Sequence, residues 1–545
     1  MSNDLPPDYD AVIVGTGVCG LLQAYRLQEL GFRWTAFERG SDVGGTWYWN
    51  RYPGCRFDSE SETYGYLFSR ELFQGWTWRE RFAPREETER YLHHFVEKFN
   101  LRKHMQFNCK VTSAHWEEGR RCWIVTLADG RAVSSRFLLT ALGLLSDPTL
   151  PRYPGIERFK GESFHTYYAP KEPIDYRGKR VAVVGTGSTG VQVICEIADQ
   201  VGSLTVFQRR PNWCAPLNNA VFSAKETAEL KDRYDEICER CAATPSGYVH
   251  NAVAQRTFDV PKEEREAFWE KLYADRGFGK WLGNYKDVLT DEEPNAEYSK
   301  FIAGKIRQRI KDPTVAEMMI PKDHGFGTRR VPMERGYYEA FNQDNVELVS
   351  LEDTPIEEID ETGILTTARK YEFDIIVYAT GFDAIIGSYE KLNVVGRDGL
   401  RLMDKWKDGP RTAFGIAVHG FPNLFTLAGP QSGSVATNFP RGIEDAVNWT
   451  SNLLAFLRQQ KCTRIEPTLA AEVQWLAEVQ KWSKRILFGQ QNSWFTGYNT
   501  NVDRRRADAA LIYAGGQIRY RKVLAQQAEQ GYPAFEVQCA DYGGQ

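Results

Sequence analysis

Asp58 closes a stretch of fifteen residues, Gly44-Gly-Thr-Trp-Tyr-Trp-Asn-Arg-Tyr-Pro-Gly-Cys-Arg-Phe-Asp58, whose residue types suit a flat aromatic ligand. Gly44, Gly45 and the Tyr52-Pro53-Gly54 turn let the backbone bend sharply and come close to such a ligand. Trp47, Tyr48 and Trp49 can cover a ring system, and Asp58 then arrives in a dry place, where a carboxylate is costly without a partner. Two further loops, Gly15-Thr-Gly17-Val-Cys-Gly20 and Gly185-Thr-Gly187-Ser-Thr-Gly190, have the glycine spacing that cradles a pyrophosphate at a helix N-terminus. The first is followed by Glu38, an acceptor for ribose hydroxyls, which suits FAD. The second runs instead into Gln208-Arg209-Arg210, and arginines hold a 2′-phosphate that an acid would repel, which points to NADPH. Cys238-Glu-Arg-Cys241 could be a redox dithiol, but it sits in a highly charged stretch away from both glycine loops, and no second pair follows.

The elements needed to position these residues are readable in order. Residues 9–14 form a buried strand, 21–30 a helix stopped by Gly31, and 34–37 a second strand ending at Glu38. Residues 71–100 are polar and helical, and 107–111, 122–127 and 136–140 alternate as a small β-meander. Gly143, Pro148, Pro151 and Pro154 mark a linker. A second unit follows with a strand at 181–184, a helix at 191–198 and a strand at 204–207. Residues 222–312 are charged and helix-forming and offer little chemistry. Strands at 373–381 and 422–430 then lead into glycine turns, before a long helix at 443–459. The fold class is α/β, with two Rossmann-like dinucleotide-binding domains and a helical insert. The nested boundaries are 1–147 with 382–545 for FAD, 148–220 with 327–381 for NADP, and 221–326 for the insert.

A chain of 545 residues can bury several cores, and its composition of 42% hydrophobic and 26% charged residues is that of a globular protein. A net charge of −4 gives no electrostatic footprint for nucleic acid or an anionic membrane. No apolar run spans a bilayer, and residues 1–7 are polar and shorter than a signal peptide, so a cytoplasmic protein, monomeric or weakly self-associating, is expected. The ten scattered cysteines read as reduced thiols rather than a disulfide framework, and the eight histidines form no metal-binding spacing.

The fifteen-residue stretch matches (Ala or Gly)-Gly-x-Trp-x4-Tyr-Pro-Gly-x3-Asp at Gly44, Gly45, Trp47, Tyr52, Pro53, Gly54 and Asp58. In this the whole chain resembles the Baeyer–Villiger monooxygenases of the cyclohexanone and phenylacetone monooxygenase type. The resemblance implies an FAD site at Gly15, Gly17, Gly20, Glu38, Thr46, Trp47, Tyr48, Trp49, Asp58 and Tyr64, with Val111 beside the adenine and Phe439 beside the flavin ring. It implies an NADP site at Thr186, Gly187, Ser188, Thr189, Gly190, Gln192, Arg209, Arg210, Arg329, Arg330 and Trp494, the last on a mobile loop. That loop ends in Asn499-Thr-Asn-Val-Asp503-Arg504, where the family has a small residue and a lysine. Arg330 is implied as the catalytic arginine, oriented by Asp58 and stabilising, together with NADP+, a flavin C4a-peroxide that attacks a ketone to give an ester or lactone. Sulfide oxidation is implied as a side activity, and N- or S-oxidation alone is the alternative. Residues 433–437 and the aromatics near Trp494 should choose the substrate. The family's short fingerprint, Phe-x-Gly-x3-His-x3-Trp, is met at Phe159, Gly161 and His165, but Ala169 replaces the tryptophan. His165 then reads as an interdomain hinge, with Tyr167 or Tyr168 to fill the gap.

Overall fold

The computed structural model describes residues 6–434, 436–502 and 511–539. One sheet of eight strands carries the first glycine loop. Its order runs Asn393–Val395, Val111–Glu117, Cys122–Leu127, Ala132–Thr140, Tyr9–Val14, Trp34–Phe37 and Met105–Gln106, with Leu424–Thr426 also pairing Ala132–Thr140. Tyr9–Val14 lies parallel to both neighbours and is buried from Ala11 onward, which its run of Ala, Val and Ile requires of a strand covered on both faces. The helix Val18–Glu29 covers this strand and packs on Phe439–Gln459, joined by hydrogen bonds from Gln23 to Ser451 (3.0 Å) and from Arg26 to Asn448 (2.9 Å).

A second sheet has five strands, all parallel: Val346–Ser350, Ser203–Gln208, Arg180–Val184, Ile375–Tyr378 and Glu162–His165. It carries the second glycine loop, and the helix Ser188–Ile197 follows that loop. Between its third and fourth strands in sequence lie the helices Ala224–Asp232, Tyr234–Ala243, Lys262–Ala274 and Glu292–Arg309. Among the described residues no helix is long and apolar enough to cross a membrane, and no group of His, Cys, Asp and Glu could hold a metal ion.

Several local expectations shift, each for a physical reason. Both glycine-loop helices begin at the residue after the middle glycine, at Val18 and Ser188. The first meander strand is Val111–Glu117 and not 107–111, because Asn108 adopts φ +55° and the amide of Cys109 donates to the Glu38 carbonyl (2.8 Å). The expected helix at 71–100 is two helices, Arg70–Gly75 and Arg85–Lys98, split around Trp76 and Trp78, whose rings pack together at 5.7 Å. The expectation of ten reduced thiols fails at one pair. Antiparallel strands Cys462–Pro467 and Phe535–Cys539 set Cys462 opposite Cys539, and the two form a disulfide across 77 residues of sequence. The other eight cysteines are free thiols.

Candidate active site

Gly15 takes φ +100°, and a Cβ there would stand 2.6 Å from the Ala141 carbonyl oxygen, so only glycine fits this turn. Gly17 then caps Val18–Glu29 with no side-chain acceptor and no acid in the first turn, which leaves the helix amides for an anion. The fingerprint loop closes over this turn. Gly44 and Gly45 take φ +131° and +54°, and a Cβ on Gly45 would come within 2.7 Å of the Gly17 Cα. Together the two loops bound an open cleft lined by Gly15, Gly17, Glu38, Thr46, Trp47, Trp49, Tyr64, Val111 and Phe439. Glu38, 5% exposed, is fixed by the Thr16 amide (3.0 Å) and hydroxyl (3.2 Å) and by the Gly40 amide (2.7 Å). A helix N-terminus, a fixed carboxylate and an aromatic floor make a donor set that fits FAD.

Three residues expected at this cleft do not line it. Gly20 lies beneath the turn, where a Cβ would overlap the Gly15 carbonyl. Tyr48 faces away, its hydroxyl bound to the Ser41 amide (3.0 Å). Asp58 lies further on, at the second unit. Sequence reasoning missed Arg39, Lys110 and Ser146, which line the cleft together with Tyr167. Tyr167 answers the question raised by Ala169. It is 1% exposed, stacks on Trp49 (5.6 Å, 11°) and takes a hydrogen bond from Arg39 (2.6 Å), whose guanidinium carbon sits 4.8 Å from the Trp49 ring. Tyr168 meets Trp49 only edge-on and is half exposed. The signal available in sequence was a cation immediately after the ribose acid, Glu38-Arg39.

The rest of the fingerprint acts on the second unit. Gly54 takes φ +76° because a Cβ would meet the Gln192 carbonyl oxygen at 2.6 Å, so the turn lies directly on the helix Ser188–Ile197. Tyr52 donates to the Gln192 side chain (2.9 Å), and Gln192 donates to the Arg56 carbonyl (3.1 Å) and Asp58 (3.4 Å). Asp58, 3% exposed, then accepts from Arg330 (2.9 Å) and from the Met333 amide (3.2 Å). Arg330 also donates to the Val331 carbonyl, and its guanidinium carbon lies 5.0 Å from the Phe278 ring and 6.0 Å from that of Trp281. The insert, read from sequence as offering little chemistry, thus supplies an aromatic wall to this arginine.

On the nucleotide face of the second unit, Thr186 bonds the Arg210 carbonyl (3.2 Å), and Gly187, Ser188, Thr189, Gly190 and Gln192 form the uncapped start of Ser188–Ile197. An added Cβ on Gly187 meets nothing within 4 Å, so the face a pyrophosphate would approach is clear. Arg210 and Arg329 share Asp323, at 3.8 and 2.9 Å, which draws the two arginine segments together. Burial, and then the charge of Arg210, lowers the pKa of the Arg209 guanidinium, which donates to Thr500. Three arginines on one face fit the 2′-phosphate of NADPH. Trp494 packs on Phe495 (4.1 Å), while Asn499 and Asn501 tie their loop to the carbonyls of Phe382 (2.7 Å) and Thr380 (3.2 Å). Asp503 and Arg504 of that loop, and Val435 of the expected substrate loop, lie outside the described residues.

His165 ends the edge strand of the second sheet. Its Nε2 donates to the Gly381 carbonyl (3.0 Å) and its Nδ1 accepts from the Tyr167 amide (3.1 Å). Cys238 and Cys241 are free thiols packed with Tyr234 and Leu67, and burial pushes the Cys241 thiol up to about 12. Such a thiol is a poor redox nucleophile, which counts against a dithiol reductase.

A family model described as flavin-binding monooxygenase-like matches residues 10–220. The 2-oxo-Delta(3)-4,5,5-trimethylcyclopentenylacetyl-CoA monooxygenase of Pseudomonas putida is 42% identical over 97% of this chain and 98% of its own. Cyclohexanone 1,2-monooxygenase of Acinetobacter sp is 37% identical over 97% of each. Among solved structures, OTEMO in complex with FAD and NADP matches at TM-score 0.95 and 42% identity, covering 98% of this chain and 100% of that one. The chain belongs to the Baeyer–Villiger monooxygenases, flavoenzymes that use FAD and NADPH.

Proposed function

We propose that this chain converts a ketone to an ester or lactone, using NADPH, a proton and O2 and releasing NADP+ and water, with sulfides as secondary substrates. The observation that carries the reading is the 2.9 Å pair between Arg330 and the buried Asp58, where the fingerprint loop meets the second dinucleotide unit. Bound FAD supplies hydride acceptance from NADPH and activation of O2. The protein's share is electrostatic. Arg330 holds a fixed positive charge where negative charge develops on oxygen, and it does so without reorganising. Asp58 sets the direction of the guanidinium and balances its charge, while the Met333 amide and Gln192 hold Asp58. Phe278 and Trp281 keep water from one face of the arginine.

FAD would be held by Gly15, Gly17, Glu38, Thr46, Trp47, Trp49, Tyr64, Val111 and Phe439, with Gly20 and Tyr48 shaping the loops behind them. NADPH would be held by Thr186, Gly187, Ser188, Thr189, Gly190, Arg209, Arg210 and Arg329. The domain division at 147/148, 220/221, 326/327 and 381/382 belongs to this proposal, as does a cytoplasmic setting in which NADPH is regenerated. The test is ester formation by the purified yellow protein from NADPH, 18O2 and a cyclic or aryl ketone, followed by mass spectrometry. Arg330→Ala should lower the ester rate by roughly 10² to 10³, the effect of removing one preorganised charge donor. Ester formation by that variant at the wild-type rate overturns the assignment of Arg330.

A further inference from the structure

Asp58 and Glu60 are two residues apart, and both carboxylates turn inward. Asp58 takes Arg330 directly. Glu60 instead meets His250, from the inserted helical region, with Oε1 2.5 Å from Nε2. Both side chains are largely buried, at 11% and 17% exposure. The turn that follows Lys262–Ala274 is fitted against this pair. Gly277, at φ +59°, has no room for a Cβ, which would stand 2.6 Å from Glu60 Oε1, and a Cβ on Gly279 would lie 3.4 Å from His250 Nδ1. Between these two glycines is Phe278, 2% exposed, the residue whose ring faces the Arg330 guanidinium at 5.0 Å. Tyr248 and Trp281 hold the same ring edge-on at 5.2 and 5.6 Å. Lys280, the next residue after Gly279, is fully buried and donates to the Asp275 carbonyl, which pins the turn from its far side.

Arg330 is therefore gripped from two sides by one short stretch of chain: by Asp58 through an ion pair, and by Glu60 through His250 and Phe278. We infer that the Glu60–His250 pair is a positioning element for Arg330, seating the Gly277–Gly279 turn so that Phe278 holds the guanidinium against Asp58. Neither residue lines the cleft under the first glycine loop. The inference rests on the assignment of Arg330 as the catalytic residue. A guanidinium released from Phe278 keeps its charge but loses its fixed direction. The cost should fall on the oxygen-insertion step and spare reduction by NADPH.

The experiment uses FAD-loaded enzyme, NADPH and cyclohexanone, with His250→Ala, His250→Gln, Glu60→Ala and Arg330→Ala compared with wild type. It reads the anaerobic rate of flavin bleaching by NADPH and the ester formed per NADPH consumed. A displacement of the order of 1 Å costs up to about 100-fold, so His250→Ala should lower ester per NADPH roughly tenfold or more, with hydrogen peroxide making up the difference, and leave bleaching within about twofold. His250→Gln, whose amide still donates to Glu60, should regain most of the coupling. If His250→Ala fails to fold, Glu60→Ala, which removes the acceptor for His250, carries the test and should give the same split. Wild-type coupling in the folded variants overturns the inference, as does an equal loss of bleaching and ester formation, which marks a merely structural role. Arg330→Ala separates the two readings: loss of ester there with normal coupling in the His250 and Glu60 variants leaves the main assignment standing, whereas ester at the wild-type rate removes it.

Discussion

The two glycine loops of this protein share the backbone angles of their first two glycines and differ in what lies over them. Gly15 and Gly185 take φ +100° and +110°, and a Cβ on either would meet a carbonyl oxygen, of Ala141 at 2.6 Å and of Ala379 at 2.5 Å. Gly17 and Gly187 cap their helices at ψ −173° and −175°, and neither helix has a side-chain cap or an acid in its first turn. Above Gly17, however, lies the backbone of Gly45, 3.3 Å from where a Cβ would stand, whereas above Gly187 there is nothing within 4 Å. The first site is roofed by the stretch from Gly44 to Trp49, whereas the face above Gly187 is open. On the proposed assignment the same anion-binding turn would serve FAD under the roof and NADPH at the open face. The roof and the charge at the strand end make the difference, Glu38 in one and Arg209 with Arg210 in the other.

The sharpest way to break this comparison is to disturb the roof. A valine at position 45 would force a side chain into a backbone 2.7 Å away at φ +54°, so Gly45→Val should purify without flavin, read from the ratio of absorbance at 450 and 280 nm. Gly187→Ala should keep its flavin in full and raise KM for NADPH by about tenfold, since the new methyl occupies only the face left clear for the pyrophosphate. A yellow Gly45→Val protein would mean that the roof does not retain FAD.

The strand ends give the next effect. Arg209→Ala should raise KM for NADPH by roughly 10- to 100-fold, the loss of a charge-assisted phosphate contact, while leaving KM for NADH and the flavin content little changed. Equal effects on the two nicotinamide nucleotides would place Arg209 away from the 2′-phosphate.

The two glycine loops and the strands that lead to Glu38 and Arg209 were legible from residue type alone, because tight turns and buried strands constrain local sequence. The Arg330–Asp58 pair was not, since 272 residues separate its members and only the family resemblance joined them. The aromatic wall of Arg330 was less legible still. Phe278 and Trp281 lie in a charged helical stretch whose pattern speaks only of solvent-facing helices, and nothing local reveals which turn reaches the interior. The disulfide escaped for a similar reason, as strand pairing brings Cys462 to Cys539 and cysteine spacing does not. Asn108 escaped because a left-handed residue inside an alternating run looks like any other polar position.

Tyr167 tests the roof at a finer scale. It stacks on Trp49 where Tyr168 meets that ring only edge-on, so Tyr167→Ala should loosen flavin retention and lower the ester formed per NADPH several-fold, whereas Tyr168→Ala should change both by less than about twofold. Equal effects would show that stacking on Trp49 is not what counts.

The smallest effect comes from acid. Burial lowers the pKa of His165 from 6.5 to about 4, against the opposing hydrogen bond to Gly381, so the folded protein holds a neutral ring. Nε2 donates to the second unit at Gly381 while Nδ1 accepts from Tyr167, whose ring braces the roof of the first cleft. A proton on Nδ1 would convert that acceptor to a donor facing an amide. Because the unfolded chain takes up this proton at a higher pH than the folded one, stability contributed by the neutral ring is present in full above pH 6.5 and is lost as pH falls toward 4. The difference of pKa bounds that loss at about 3 kcal/mol. The urea midpoint of wild type should therefore fall between pH 6.5 and 4 more steeply than that of His165→Gln, whose side chain can donate and accept without titrating. Flavin release, followed by its fluorescence, should track the same window if His165 couples the open site to the roofed one. Parallel midpoints in the two proteins would confine His165 to the second sheet and leave the roof held by Trp49, Tyr167 and Arg39 alone.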